Sequence, residues 1–129
     1  MVQFEIKTTF PVSAQTVYEA WLDSEQHTAM TGGEAVCSDK ANESFTAWDG
    51  YISGRNLALT PYSKIVQSWR TSEFGEDEEY SKVEVTLVDS DEGCELTLKH
   101  SQIPEGQSDY KTGWEDHYFT PMQVYFTKA

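Results

Sequence analysis

Apolar and polar positions alternate from the first residues of the chain. Val2, Phe4 and Ile6 fall on one side and Gln3, Glu5 and Lys7 on the other. That two-residue period predicts a half-buried strand over residues 2–9. Pro11 ends the pattern, and Ser13 has the side chain of a helix N-cap. Val17 and Trp21, with Ala14 and Leu22, then supply one apolar stripe at helical spacing. Ser24 is expected to cap a second short helix that stops at Gly32-Gly33.

Beyond this point the two-residue period returns. Strands are expected at 34–38 and 43–48, around the polar turn Asp39-Lys40-Ala41-Asn42. Asp49-Gly50 is a hairpin signal before a strand at 51–59, and Pro61-Tyr62-Ser63 turns the chain into 64–71. Val83, Val85 and Leu87 alternate, Ser90-Asp91-Glu92-Gly93 turns, and Cys94, Leu96, Leu98 and His100 alternate again. Past Pro104-Glu105-Gly106, Ser108 is expected to cap a long C-terminal helix. Tyr110, Trp114, His117, Tyr118 and Pro121 fall on one helical face, with Met122 and Tyr125 beside them. Phe119 and Phe126 lie nearer the opposite side. Pro121 should kink or divide the helix, because it lacks an N–H and its ring crowds the preceding turn. The order is strand, two short helices, five or six strands, long helix. It predicts an α+β domain whose terminal helix covers one face of an antiparallel meander.

Composition narrows the classes. At 129 residues, 38% apolar and 13% aromatic, the chain can bury a core and is expected to form one domain over residues 1–129. Nine basic against 22 acidic residues give a net charge of −13, which repels phosphate backbones and anionic membranes. The acid gathers at Glu73, Glu76, Asp77, Glu78 and Glu79, and again at Asp89, Asp91 and Glu92. Both stretches read as solvated loops between strands, or as a face that steers a basic partner. No apolar run approaches the ~20 residues of a spanning helix, and the N-terminus has no secretory pattern. Cys37 and Cys94 stand far apart without CxxC spacing, so free thiols, a cytoplasmic setting and no metal site are expected.

An ordered set of residues carries a family resemblance. It runs through Phe10-Pro11, Val17-Tyr18-Glu19-Ala20-Trp21 and Ser44-Phe45-Thr46-Ala47-Trp48-Asp49-Gly50 with Gly54. It continues with Pro61, Ile65-Val66-Gln67-Ser68-Trp69-Arg70, Ile103-Pro104-Glu105, Gly113-Trp114, Tyr118-Phe119 and Tyr125-Phe126. The chain resembles the C-terminal domain of the Hsp90 ATPase activators, within the START-like, or SRPBCC, helix-grip superfamily. The resemblance implies a curved antiparallel sheet of about six to seven strands wrapped on a long C-terminal helix, as in Bet v1-like proteins. It implies two short helices after the first strand. Two departures stand out. Thr28-Ala29-Met30 occupies a place where many bacterial members carry tryptophans, and the separate N-terminal domain of the eukaryotic activators is not expected in these residues.

Candidate chemistry rests on aromatic rings. Trp48, Trp69 and Trp114 fall on two strands and the last helix, with Trp21 on the first helix. They can anchor a small core, or, with Tyr51 and Tyr118, wall a pocket between sheet and helix. His117 is either a satisfied boundary histidine or a polar group fixing a ligand in an apolar cavity. Arg55 and Arg70 are read as surface ion-pair partners, or, if either points inward, as a clamp on a ligand carboxylate; strand parity leaves both open, although Ile65 and Trp69 suggest an inner face that turns Arg70 outward. There is no nucleophile elbow, phosphate loop or dinucleotide fingerprint. A non-catalytic, monomeric module without cofactor is therefore expected. It would bind a small hydrophobic molecule through Trp48, Tyr51, Trp69, Trp114, His117 and Tyr118. The alternative is a co-chaperone-like stress protein docking on an Hsp90-type ATPase.

Overall fold

The computed structural model describes residues 2–107 and 109–127. Strand β1 (Val2–Phe10) follows the alternation, burying Ile6 and Phe10. Helix α1 (Ala14–Leu22) starts as expected: the Ser13 hydroxyl accepts the Thr16 N–H at 3.2 Å. Ala14, Val17, Trp21 and Leu22 are all buried.

Helix α2 (Ser24–Thr31) begins one residue earlier than the sequence suggests. Its cap is Asp23, whose carboxylate accepts the Gln26 N–H at 2.9 Å. A carboxylate there offers both an acceptor and a charge favourable to the helix dipole. Gly32 ends the helix at φ +87°, a left-handed conformation that glycine adopts without a Cβ penalty.

Ser24 has a different task, which explains why residues 34–38 are not a strand. Its hydroxyl accepts the Cys37 N–H at 2.8 Å and donates to the Cys37 carbonyl at 3.3 Å. The Ala35 N–H goes to Thr28 Oγ1 and the Glu34 N–H to Asp49 Oδ1. With these groups spent on side chains, one isolated bridge between Val36 and Thr46 is left.

Five more strands complete the sheet: β2 (Ser44–Ala47), β3 (Ile52–Thr60), β4 (Lys64–Thr71), β5 (Ser81–Ser90) and β6 (Gly93–Ile103). All neighbours are antiparallel, in the order β1-β6-β5-β4-β3-β2. Gly54 on β3 allows the close approach of β4, since a Cβ there would sit 1.9 Å from the Ser68 carbonyl oxygen. Ile65 and Trp69, Val83, Val85 and Leu87, and Cys94, Leu96 and Leu98 share the buried face. Arg70 points away from it, as the parity of Ile65 and Trp69 suggests. Its guanidinium donates to the carbonyls of Phe74 and Gly75 and reaches that of Glu78, holding the acidic loop through backbone rather than through an ion pair.

The C-terminal helix lies across the inner face in three pieces: α3 (Tyr110–Trp114), a π-helical turn at Glu115–Phe119, and α4 (Thr120–Thr127). Asp109 caps it, accepting the Thr112 N–H at 3.1 Å, while Ser108, the expected cap, lies outside the described residues. In the π turn the Thr120 N–H reaches back five residues to Glu115. Pro121 follows directly. A proline has no N–H for the usual bond four residues back, and a widened turn accommodates its ring. The extra residue rotates everything after it. Phe119 and Phe126, expected opposite Trp114, are therefore buried at 6% exposure each, and His117, expected inside, is exposed. Among the described residues no helix is long and apolar enough to cross a membrane.

Candidate functional site

Between the β2–β3 turn, β4 and the C-terminal helix lies a cavity of about 430 Å³. Trp48 and Tyr51 come from the turn, Ile52 from β3 and Trp69 from β4. The helix contributes Asp109, Tyr110, Gly113, Trp114, His117 and Tyr118. All six candidate residues read from the sequence thus line one space. Tyr110 was expected on the same helix face but not as a lining residue. Ile52, Asp109 and Gly113 carry no sequence signal for such a role.

The lining has a depth and a mouth. Ile52, Trp69, Tyr110, Trp114 and Tyr118 are buried, whereas Tyr51, Asp109 and His117 are exposed and Trp48 is half-buried. Trp48 takes a positive φ of 51° in the tight β2–β3 turn. Its ring meets His117 edge-on at 5.6 Å, so sheet and helix touch across the opening. Deeper in, Trp69 meets Tyr110 edge-on at 5.0 Å and Trp114 packs on Tyr118 at 4.7 Å. Behind the helix, Trp21 stacks on Tyr118 at 5.3 Å.

Two buried histidines, not singled out by sequence reasoning, fix the helix rings in place. Trp114 Nε1–H donates to His100 Nδ1 at 3.1 Å, so that nitrogen is an acceptor. His100 Nε2–H then donates to Ser81 Oγ at 2.8 Å, and the Ser81 hydroxyl donates to the Trp69 carbonyl at 2.7 Å. The tautomer is set by its partners. His27 takes the opposite one: Nδ1–H donates to the Trp21 carbonyl and Nε2 accepts the Tyr118 hydroxyl, each at 2.8 Å. Burial pushes His100 down to about 3 and lowers His27, so both rings are neutral near pH 7. The alternation Cys94, Leu96, Leu98, His100 placed His100 on the inner face; nothing in the weakly patterned α2 marks His27.

Other polar groups at the site are also engaged. The Tyr51 hydroxyl donates to the Glu73 carboxylate, and burial followed by this bond raises Tyr51 to about 12. Tyr110 bonds Thr71 at 2.7 Å and Gln107 at 3.0 Å. By contrast, Trp48 Nε1 is buried with no hydrogen-bond partner among the described residues. Cys37 and Cys94 are free thiols raised to about 11, chiefly by burial, and so are poor nucleophiles. Among the described residues no group of three or more histidine, cysteine or acidic side chains could hold a metal ion.

The family model described as "Activator of Hsp90 ATPase homolog 1-like protein" matches residues 11–127. The chain belongs to this family. An uncharacterised protein of Schizosaccharomyces pombe is 25% identical over 119 residues, covering 92% of this chain and 35% of that protein. A Dictyostelium discoideum relative described as an activator of 90 kDa heat shock protein ATPase homologue is 29% identical over 93 residues. That match covers 72% of this chain and 24% of the relative. The chain thus spans about a third or less of these relatives' length. Among solved structures, an HSP90 activator from Plasmodium falciparum superposes with a TM-score of 0.87 at 25% identity, covering 98% of this chain and 97% of that one. A Mesorhizobium loti protein reaches 0.84 at 15% identity over 99% and 98% of the two chains, a likeness of fold alone. The Hsp90-activator-like family and its helix-grip architecture agree with the sequence resemblance.

Proposed function

We propose that this domain is a non-catalytic binding module for a small, mostly apolar molecule held between the sheet and the C-terminal helix. The supporting observation is the ring-lined cavity of about 430 Å³. A packed core leaves few voids larger than a water molecule, and ligand pockets run from roughly 300 to 1,000 Å³. Burial of the deep rings explains their stability role but not the space between them. The reading includes a monomeric domain in a reducing, cytoplasmic setting.

A backbone amide-shift titration with aromatic and aliphatic alcohols, amines and acids tests the reading. Saturable shifts at Trp48–Ile52, Trp69 and residues 109–118 are expected. Shifts scattered over the surface, or none with any compound, contradict it.

A second reading is favoured by the family: docking on an Hsp90-type ATPase, as the descriptions of the Dictyostelium and Plasmodium relatives suggest. Adding such an ATPase to the labelled domain distinguishes the two. Line broadening on an exposed face, with the cavity amides unmoved, supports docking.

A further inference from the structure

The lining of the cavity is selective for charge as well as for shape. Six of its residues, Trp48, Tyr51, Trp69, Tyr110, Trp114 and Tyr118, present indole or phenol rings, whose faces carry negative potential. Asp109 is a lining carboxylate, and no lysine or arginine lines the space. The Thr112 backbone and hydroxyl bonds hold the Asp109 carboxyl below the usual range, so it is ionised near pH 7.

The ring donors are largely spent on the protein. The Tyr51 hydroxyl donates to Glu73 and that of Tyr110 to Gln107. Trp114 Nε1–H donates to His100 and the Tyr118 hydroxyl to His27. These side chains therefore offer π faces and oxygen lone pairs to an occupant rather than hydrogens. A fatty-acid carboxylate or a phosphate would meet no fixed cation here and would face Asp109. The surrounding field has the same sign, with a net charge of −13 and the Tyr51–Glu73 contact at the mouth. An organic cation, by contrast, is attracted by ring faces within about 6 Å and by the carboxylate.

We propose that the occupant is an amphiphilic organic cation, an apolar or aromatic body carrying an alkylammonium group, with the ammonium held among the rings beside Asp109. This rests on the ligand-binding reading above and names its chemical class. The body lies deeper, against Ile52, Trp69 and Tyr118, where aliphatic and aromatic surface is buried.

The test uses three probes with the same phenylalkyl body: a trimethylammonium, its neutral tert-butyl isostere, and a carboxylate. Binding is followed by cavity amide shifts in the wild type and in Asp109→Asn. Asparagine can still cap the helix, so the variant separates charge from folding. The ammonium should bind about tenfold tighter than the neutral isostere, the size expected of a partly desolvated cation among rings. Asp109→Asn should weaken the ammonium and leave the neutral probe unchanged. Equal binding of ammonium and isostere, or tighter binding of the carboxylate, overturns the cation assignment while leaving a ligand site. Failure of all three probes to shift the cavity amides overturns the ligand-binding reading and the cation assignment together.

Discussion

Residues His27 and His100 show how polar atoms can be buried at little cost. Each ring nitrogen has a partner, and each ring holds one side chain of the C-terminal helix, Tyr118 and Trp114 respectively. The arrangement requires neutral rings, because a proton on His100 Nδ1 would oppose the Trp114 N–H. The folded pKa of His100 is depressed to about 3, whereas the unfolded chain binds that proton near the ordinary histidine value of about 6.5. Stability is therefore full above about pH 6.5 and is lost as pH falls from there towards 3. At pH 5 the loss from His100 alone should be about 2 kcal/mol relative to pH 7.5. Urea melts at the two pH values measure it. His100→Gln should remove most of the slope while lowering stability at both; an unchanged slope would show that other groups carry it.

At the scale of elements, Asp23 takes the α2 cap that the sequence assigns to Ser24, and Ser24 instead ties α2 to Cys37. Asp23→Ala should destabilise by about 1 kcal/mol through loss of the α2 cap. Ser24→Ala should leave the cap intact and release Cys37 from α2, while Thr28 still holds Ala35. Amide exchange at Cys37 should then speed up without matching change in α2; uniform acceleration across the helix would contradict the division. These residues also mark what the sequence could and could not show. Alternating runs with clear turns, such as 64–71 and Val83 to His100, match strands β4, β5 and β6 because parity and burial agree. Residues 34–38 show strand-like alternation, but their backbone bonds are taken by side chains of α2 and by Asp49, a tertiary choice with no local signal. The π turn is similarly hidden. Pro121 announced a disturbance, yet neither its width nor its effect on Phe119, Phe126 and His117 follows from helical spacing.

The whole molecule combines a strongly acidic surface with an open aromatic interior. Among the described residues a single ion pair forms, between Lys82 and Glu84 at 3.0 Å. With a net charge of −13, repulsion should outweigh attraction over the surface. Raising NaCl from about 20 mM to about 300 mM should therefore raise the Tm, since added salt shortens the screening length. A Tm that falls would point to stabilising pairs instead. Ring identity made the site legible: all six candidate residues meet in one cavity although they come from distant segments. The cavity itself was not legible, because the same rings could have closed into a full core.

Gly113 provides the most direct test of whether that space is used. It lines the cavity, and a Cβ built on it meets nothing within 4 Å. Gly113→Leu should occupy the void from a helical position where glycine is intrinsically unfavourable. The measurement is an amide-shift titration of wild type and Gly113→Leu with the same phenylalkylammonium probe. The expected result is saturable shifts at Trp48–Ile52 and residues 109–118 in the wild type. The variant should melt no lower and show none of them. Equal binding by a folded Gly113→Leu variant would contradict the account.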